Sequence, residues 1–177
     1  MALRRGYRTK IYTYNLEVFD PSWFTGNKDL AEKLRKQARK KRHRKRLQLM
    51  TDAYLEYLHL GGELRFEDLT PRLLTRQLRQ GFPILTGLSS TYLYHDSREL
   101  PDTTFDDVRG DPQGHFVVLT GYDKERREVH VADPLQTNPF HPAQQYTVPI
   151  YRAVGAIFLG VLTHDANMLI IKPPKDR

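Results

Sequence analysis

His115 and Asp133 are the residues of this chain whose types and spacing could do chemistry together. His115 heads an apolar run, Gly114-His115-Phe116-Val117-Val118-Leu119-Thr120-Gly121-Tyr122-Asp123, and Asp133 closes a second, Val129-His130-Val131-Ala132-Asp133-Pro134. The two lie 18 residues apart, and a hairpin turning at Asp123-Lys124-Glu125-Arg126 would bring them to the same end of adjacent strands. In that arrangement a carboxylate fixes the tautomer of the imidazole, and the imidazole serves as general base toward a Ser or Cys nucleophile. The plain alternative is a strand-start histidine beside an Asp-Pro turn. The chain contains no cysteine, so a thiol nucleophile is missing from these residues.

A serine does not take its place by pattern. Ser89 and Ser90 follow an apolar run near the His block, but neither sits in the Gly-x-Ser-x-Gly turn that exposes a nucleophile, and capping a loop or turn is the simpler reading. Metal chemistry has no support either, because His43, His59, His95, His115, His130, His141 and His164 show no paired ligand spacing. No Gly-rich phosphate loop occurs, and no cofactor is expected.

The elements that would hold the pair can be read from periodicity and punctuation. Residues 8–15 have the aromatic and β-branched content of a strand, and Asp20-Pro21-Ser22-Trp23-Phe24 reads as a turn, after which Asn27 can cap a helix. From 28 to about 60 there is no Gly or Pro, and Leu30, Leu34, Leu47, Met50, Ala53, Tyr54, Tyr57 and Leu58 keep helical spacing at both ends of the segment. Its middle is different: every residue from Arg39 to Arg46 is Lys, Arg or His. The segment is therefore either two packed helices joined by a charged stretch or one helix whose middle stands in solvent. Gly61-Gly62 stops it, residues 63–66 form a short strand, and Thr70-Pro71 cap and open a helix to Gln80. Residues 82–88 are an apolar strand, 89–109 a polar loop, and the His and Asp runs the hairpin. Tyr146-Thr147-Val148 leads into Pro149, which opens a helix to about Leu162, and residues 167–172 close the chain as a strand. The class is α+β with a mostly antiparallel sheet, in one domain over residues 1–177 whose sheet core spans 82–173.

Composition bounds the rest. The 177 residues, 39% apolar and 11% aromatic, can bury the core of a globular domain. The absence of cysteine and of any apolar run near 20 residues predicts a soluble, cytoplasmic chain with no membrane span. The formal charge of +7 is local: ten of the 28 Lys and Arg lie between Lys33 and Arg46, and the remainder is slightly acidic. Arg39, Lys40, Arg42, Arg44 and Arg46, with Lys41 and Lys45, could bind a polyanion such as nucleic acid, or form a solvated helix face.

The His and Asp blocks, with Phe82-Pro83-Ile84-Leu85 and Ser89-Ser90-Thr91-Tyr92 before them, resemble those of papain-like double-glycine leader peptidases over roughly residues 70–173. The resemblance implies a papain-like cysteine-peptidase fold, a hydrolase acting on a peptide or protein substrate, and a remnant catalytic dyad. His115 would be the general base and Asp133 its orienter, with the peptide bound in a cleft lined by Ser89, Ser90, Tyr92 and Tyr94. In that family the nucleophilic Cys heads an N-terminal helix, with a Gln before it in the oxyanion hole. This sequence departs from the family at that point, since the helix would precede the strand at Arg8. Three accounts stand open: a chain begun at an internal Met, a natural pseudopeptidase that binds without cleaving, and a half-domain completed by another polypeptide. The run Arg4-Arg5-Gly6-Tyr7, which reads as a helix tail turning into a strand, favours the first.

Overall fold

The computed structural model describes residues 2–26, 28–140, 144–161 and 166–174. It is a mixed α+β chain made of two compact units, Met1–Glu67 with Ile171–Arg177, and Asp68–Ile170.

In the first unit, β1 (Arg8–Thr13) pairs in parallel with β2 (Glu63–Arg65), and Lys10, Ile11 and Tyr12 stand opposite Glu63, Leu64 and Arg65. Between them come α1 (Leu30–Lys40) and α2 (Lys45–His59), so the long polar segment is two helices. The break falls where like charges crowd most densely and no apolar stripe rewards continuation. The corner is pinned by amides: Gln48 donates to the carbonyls of Ala38 (3.2 Å) and Lys41 (3.1 Å), and Gln37 to that of Val18 (2.8 Å). Val18, Phe19, Leu34, Leu47 and Leu64 form the buried cluster that both helices close over. Asp29 caps α1 by accepting from the Glu32 amide at 3.0 Å, which corrects the expected cap at Asn27; Asn27 itself lies outside the described residues. At the far end of α2 Gly61 takes a left-handed φ of 84°, which stops the helix at no steric cost, as its sequence foretold.

In the second unit, strands run side by side in the order β7-β3-β4-β5-β6, every neighbouring pair antiparallel. They are β3 (Ile84–Ser89), β4 (Gly114–Asp123), β5 (Glu128–Ala132), β6 (Gln145–Pro149) and β7 (Asn167–Lys172), whose first four residues belong to this unit. Two helices, α3 (Pro71–Leu78) and α5 (Ile150–Leu159), pack on this sheet. Leu74 from α3 and Ile157 from α5 are fully buried with Leu88, Val117, Leu119, Val131 and Ile170. Thr70 caps α3 with Pro71 at its first position, as the motif required.

Two features depart from expectation. The segment 89–109 is not all loop: its first turn is a short helix, α4 (Ser90–Tyr94), capped by the Ser89 hydroxyl, which accepts from the Tyr92 amide at 3.3 Å. Residues 145–149 form a full edge strand, because the β-branched and aromatic Tyr146-Thr147-Val148 pair with His130 and its neighbours before Pro149 ends the ladder. The helix that follows ends at Leu159, and Leu162 lies outside the described residues. Among the described residues, no helix is long and apolar enough to cross a membrane.

Candidate active site

Register places the two chemical residues. Leu119 stands opposite Val131 and Val118 opposite Ala132, so Asp133, one step further, falls across from Val117 and diagonal to His115 on the same face. The side chains meet: His115 Nε2 lies 2.9 Å from Asp133 Oδ1. Asp133 is wholly buried at its side chain, whereas the imidazole keeps 24% exposure, so the pair has one dry end and one accessible end.

The carboxylate is held by four donors. Oδ1 accepts from His115 and from the Leu135 amide at 2.9 Å; Oδ2 accepts from the hydroxyls of Tyr146 (2.6 Å) and Tyr94 (2.7 Å). Burial pushes the carboxyl upward, but the Tyr146 and Tyr94 hydroxyls, the Leu135 amide and His115 together outweigh it and hold the group below its ordinary range. Burial first, and then the neighbouring carboxylate, raise both tyrosines above the ordinary phenol range, so each remains a donor. An ionised carboxylate only accepts, so Nε2 is the donor of this bond, and in the neutral imidazole Nδ1 then keeps the lone pair. Among the described residues nothing is bonded to Nδ1.

Aromatic and amide contacts lock this arrangement. The Phe140 ring packs between Tyr146 (centroids 4.6 Å) and Tyr94 (6.0 Å). Asn138 is buried, donates to the Leu135 carbonyl and accepts from the Phe140 amide, while Gln144 donates to the carbonyls of Asp133 and Pro134. Tyr146, Asn138 and Gln144 were missed in the sequence. Tyr146 had a signal, since reading residues 145–149 as a strand beside β5 puts it opposite Val131, two residues from Asp133 on one face.

The other site residues scatter. Ser89 is spent on the α4 cap, and the Ser90 hydroxyl donates to the Gln113 carbonyl at 3.2 Å, so neither is free to attack a substrate. Tyr94 is turned to Asp133, whereas the Tyr92 ring lies against α5, where a Cβ at Gly155 would approach it to 2.9 Å. Ser90 and Tyr94 line a cavity of about 480 Å³, and Ser89 and Tyr92 do not. The basic residues occupy the α1–α2 corner: Arg39, Lys40, Arg42, Arg44, Lys45 and Arg46 are exposed and Lys41 partly so. None of the seven has an acidic partner among the described residues.

A buried carboxylate bonded to a partly exposed histidine at the end of an antiparallel hairpin has the geometry in which a carboxylate can orient an imidazole as a general base. The chain belongs to the peptidase C39-like family, whose model matches residues 28–156. A crystal structure of a C39-like peptidase from Bacillus anthracis is similar at 20% identity, covering 59% of this chain and 48% of that one, with a TM-score of 0.33. The chain thus spans about half the length of that protein. No curated protein matches it.

Proposed function

We propose that the chain is the peptide-binding and base-bearing part of a papain-like cysteine peptidase of the double-glycine type, catalytically incomplete in these 177 residues because they hold no cysteine. The observation that carries this reading is the 2.9 Å bond from His115 Nε2 to Asp133, with Nδ1 left unbonded among the described residues. Given a thiol from elsewhere, Nδ1 would take its proton, the thiolate would attack a peptide carbonyl, and the imidazolium would return the proton to the leaving amine. The acyl thioester would then fall to water. Without a thiol the same surface binds and does not cut.

Two measurements test it together. In ¹⁵N spectra recorded where the imidazole is neutral, His115 is expected as the Nε2–H tautomer; the Nδ1–H tautomer would remove the base. A fluorescein-labelled peptide ending in Gly-Gly should bind saturably and stay intact, its anisotropy rise falling at least several-fold with His115→Ala or when Gly-Gly becomes Ala-Ala. Equal binding of the two peptides would end the double-glycine reading.

The second reading is polyanion binding by the α1–α2 corner, favoured by its seven cations without acidic partners among the described residues. Seven phosphate contacts would give a log–log salt slope of about −6 on duplex DNA. Neutralising Arg42, Arg44 and Arg46 to Gln should flatten that slope by about 3. A slope unchanged by those substitutions would place any nucleic-acid binding elsewhere.

A further inference from the structure

We propose that the cavity beside Asp133 is a subsite for a cationic group, guanidinium or ammonium, carried by the bound peptide; this rests on the peptide-binding reading above. The cavity, about 480 Å³, lies within the second unit and is of the size that holds a side chain or small ligand. It shares two walls with the dyad. Tyr94 lines it and donates to Asp133 Oδ2, and Leu135 lines it while its amide donates to Oδ1. A group seated here therefore sits against two of the residues that hold the Asp133 carboxylate.

The lining selects charge. Asp96 and Glu99 are its acidic lining residues, Tyr94 and Phe105 its aromatic ones, and among the described residues no Lys, Arg or His lines the cavity. The cations nearest in sequence are engaged elsewhere. Arg98 donates to the carbonyls of Asp107 and Val108, and Arg109 is paired with Asp106 at 2.6 Å. Glu99 is half-buried, and its carboxylate has no cationic partner among the described residues. Its backbone is fixed, with amide and carbonyl both bonded to Asp111. Phe105 leaves 60% of its surface exposed at the rim, an apolar face open to stacking on a planar cation. A half-buried carboxylate beside aromatic faces is stabilised by an incoming cation and gains little from a neutral group of equal shape.

The probe is benzamidine, with isosteric neutral benzamide as its control, titrated into the 177-residue chain and followed by amide chemical shifts. Benzamidine should give saturable shifts at Tyr94, Glu99, Phe105 and Leu135, and benzamide should bind at least about tenfold more weakly, the worth of a charge-assisted bond. Glu99→Gln and Asp96→Asn should each weaken benzamidine severalfold, and Phe105→Ala should do so without changing charge. Unaltered dispersion of the amide spectrum shows that each variant is folded. Equal binding of the two probes, or full benzamidine affinity in both acid variants, overturns the subsite. The two readings separate on peptides: a Gly-Gly peptide that binds equally with arginine or citrulline keeps the peptide reading and loses this one. Benzamidine bound in the cavity with no Gly-Gly peptide binding keeps the cation site and loses the peptide reading.

Discussion

Asp133→Ala is expected to cost about 3–5 kcal/mol of stability, because it removes a buried charge and strands the groups that were bonded to it. The stranded donors are the hydroxyls of Tyr94 and Tyr146, the Leu135 amide and His115 Nε2. For a chain of this size the melting midpoint should fall by on the order of 10 °C. The effect has a pH signature. The folded state holds this carboxyl below its ordinary value, which in the unfolded chain is near about 3.9. The stabilisation is therefore complete above that pH and is lost as pH falls through the lower folded value. Urea unfolding at pH 7 and pH 3 should show the wild-type advantage over Asp133→Ala shrinking in acid. An advantage as large at pH 3 as at pH 7 would mean that packing, not the ionised carboxylate, is what the aspartate supplies. Asp133→Asn should lie between, since its one oxygen cannot serve all four donors and its amino group must face one of them.

Phe19→Ala is the second large effect, expected at about 3–5 kcal/mol as a buried aromatic lost from a close-packed cluster. Phe19 is 1% exposed and meets Tyr54 edge-on at 4.7 Å and Phe24 at 5.8 Å, within the cluster that Leu34 and Leu47 bring from the two helices. Emptying it removes the shared floor of α1 and α2, so helical circular dichroism should melt earlier along with the denaturant midpoint. Phe19→Leu, which keeps most of the volume, should cost well under half as much. A Phe19→Ala protein with an unchanged midpoint would show that the polar bonds of Gln37 and Gln48, not the apolar cluster, hold the corner.

Much of this fold was legible because its signals are local. The hairpin could be read from two apolar runs and a four-residue turn, α3 from Thr70-Pro71, and the end of α2 from Gly61, since each depends on φ preference, capping or period two alone. The two-helix reading of residues 28–60 stood beside a one-helix reading, and charge repulsion without an apolar stripe chose between them. The polar segment after Ser89 hid a helix because five residues are too few for a period to register. Tyr146 escaped because its strand is short and followed by proline, so its weak alternation resembled a lead-in to the next helix.

By itself the sequence determined which residues could form a base and its orienter, that no cysteine accompanies them, and that cationic charge is concentrated in one segment. Those are matters of residue type and spacing along the chain. Only the tertiary structure decided that His115 and Asp133 touch, that Tyr94 serves the carboxylate, and that Tyr146, Asn138 and Gln144 complete its support. It also decided that Glu99 faces a cavity without a cation beside it among the described residues. The reason is physical: a buried carboxylate must collect donors from wherever the packed strands and loops deliver them, and that convergence is a property of register and burial, which no one-dimensional spacing encodes.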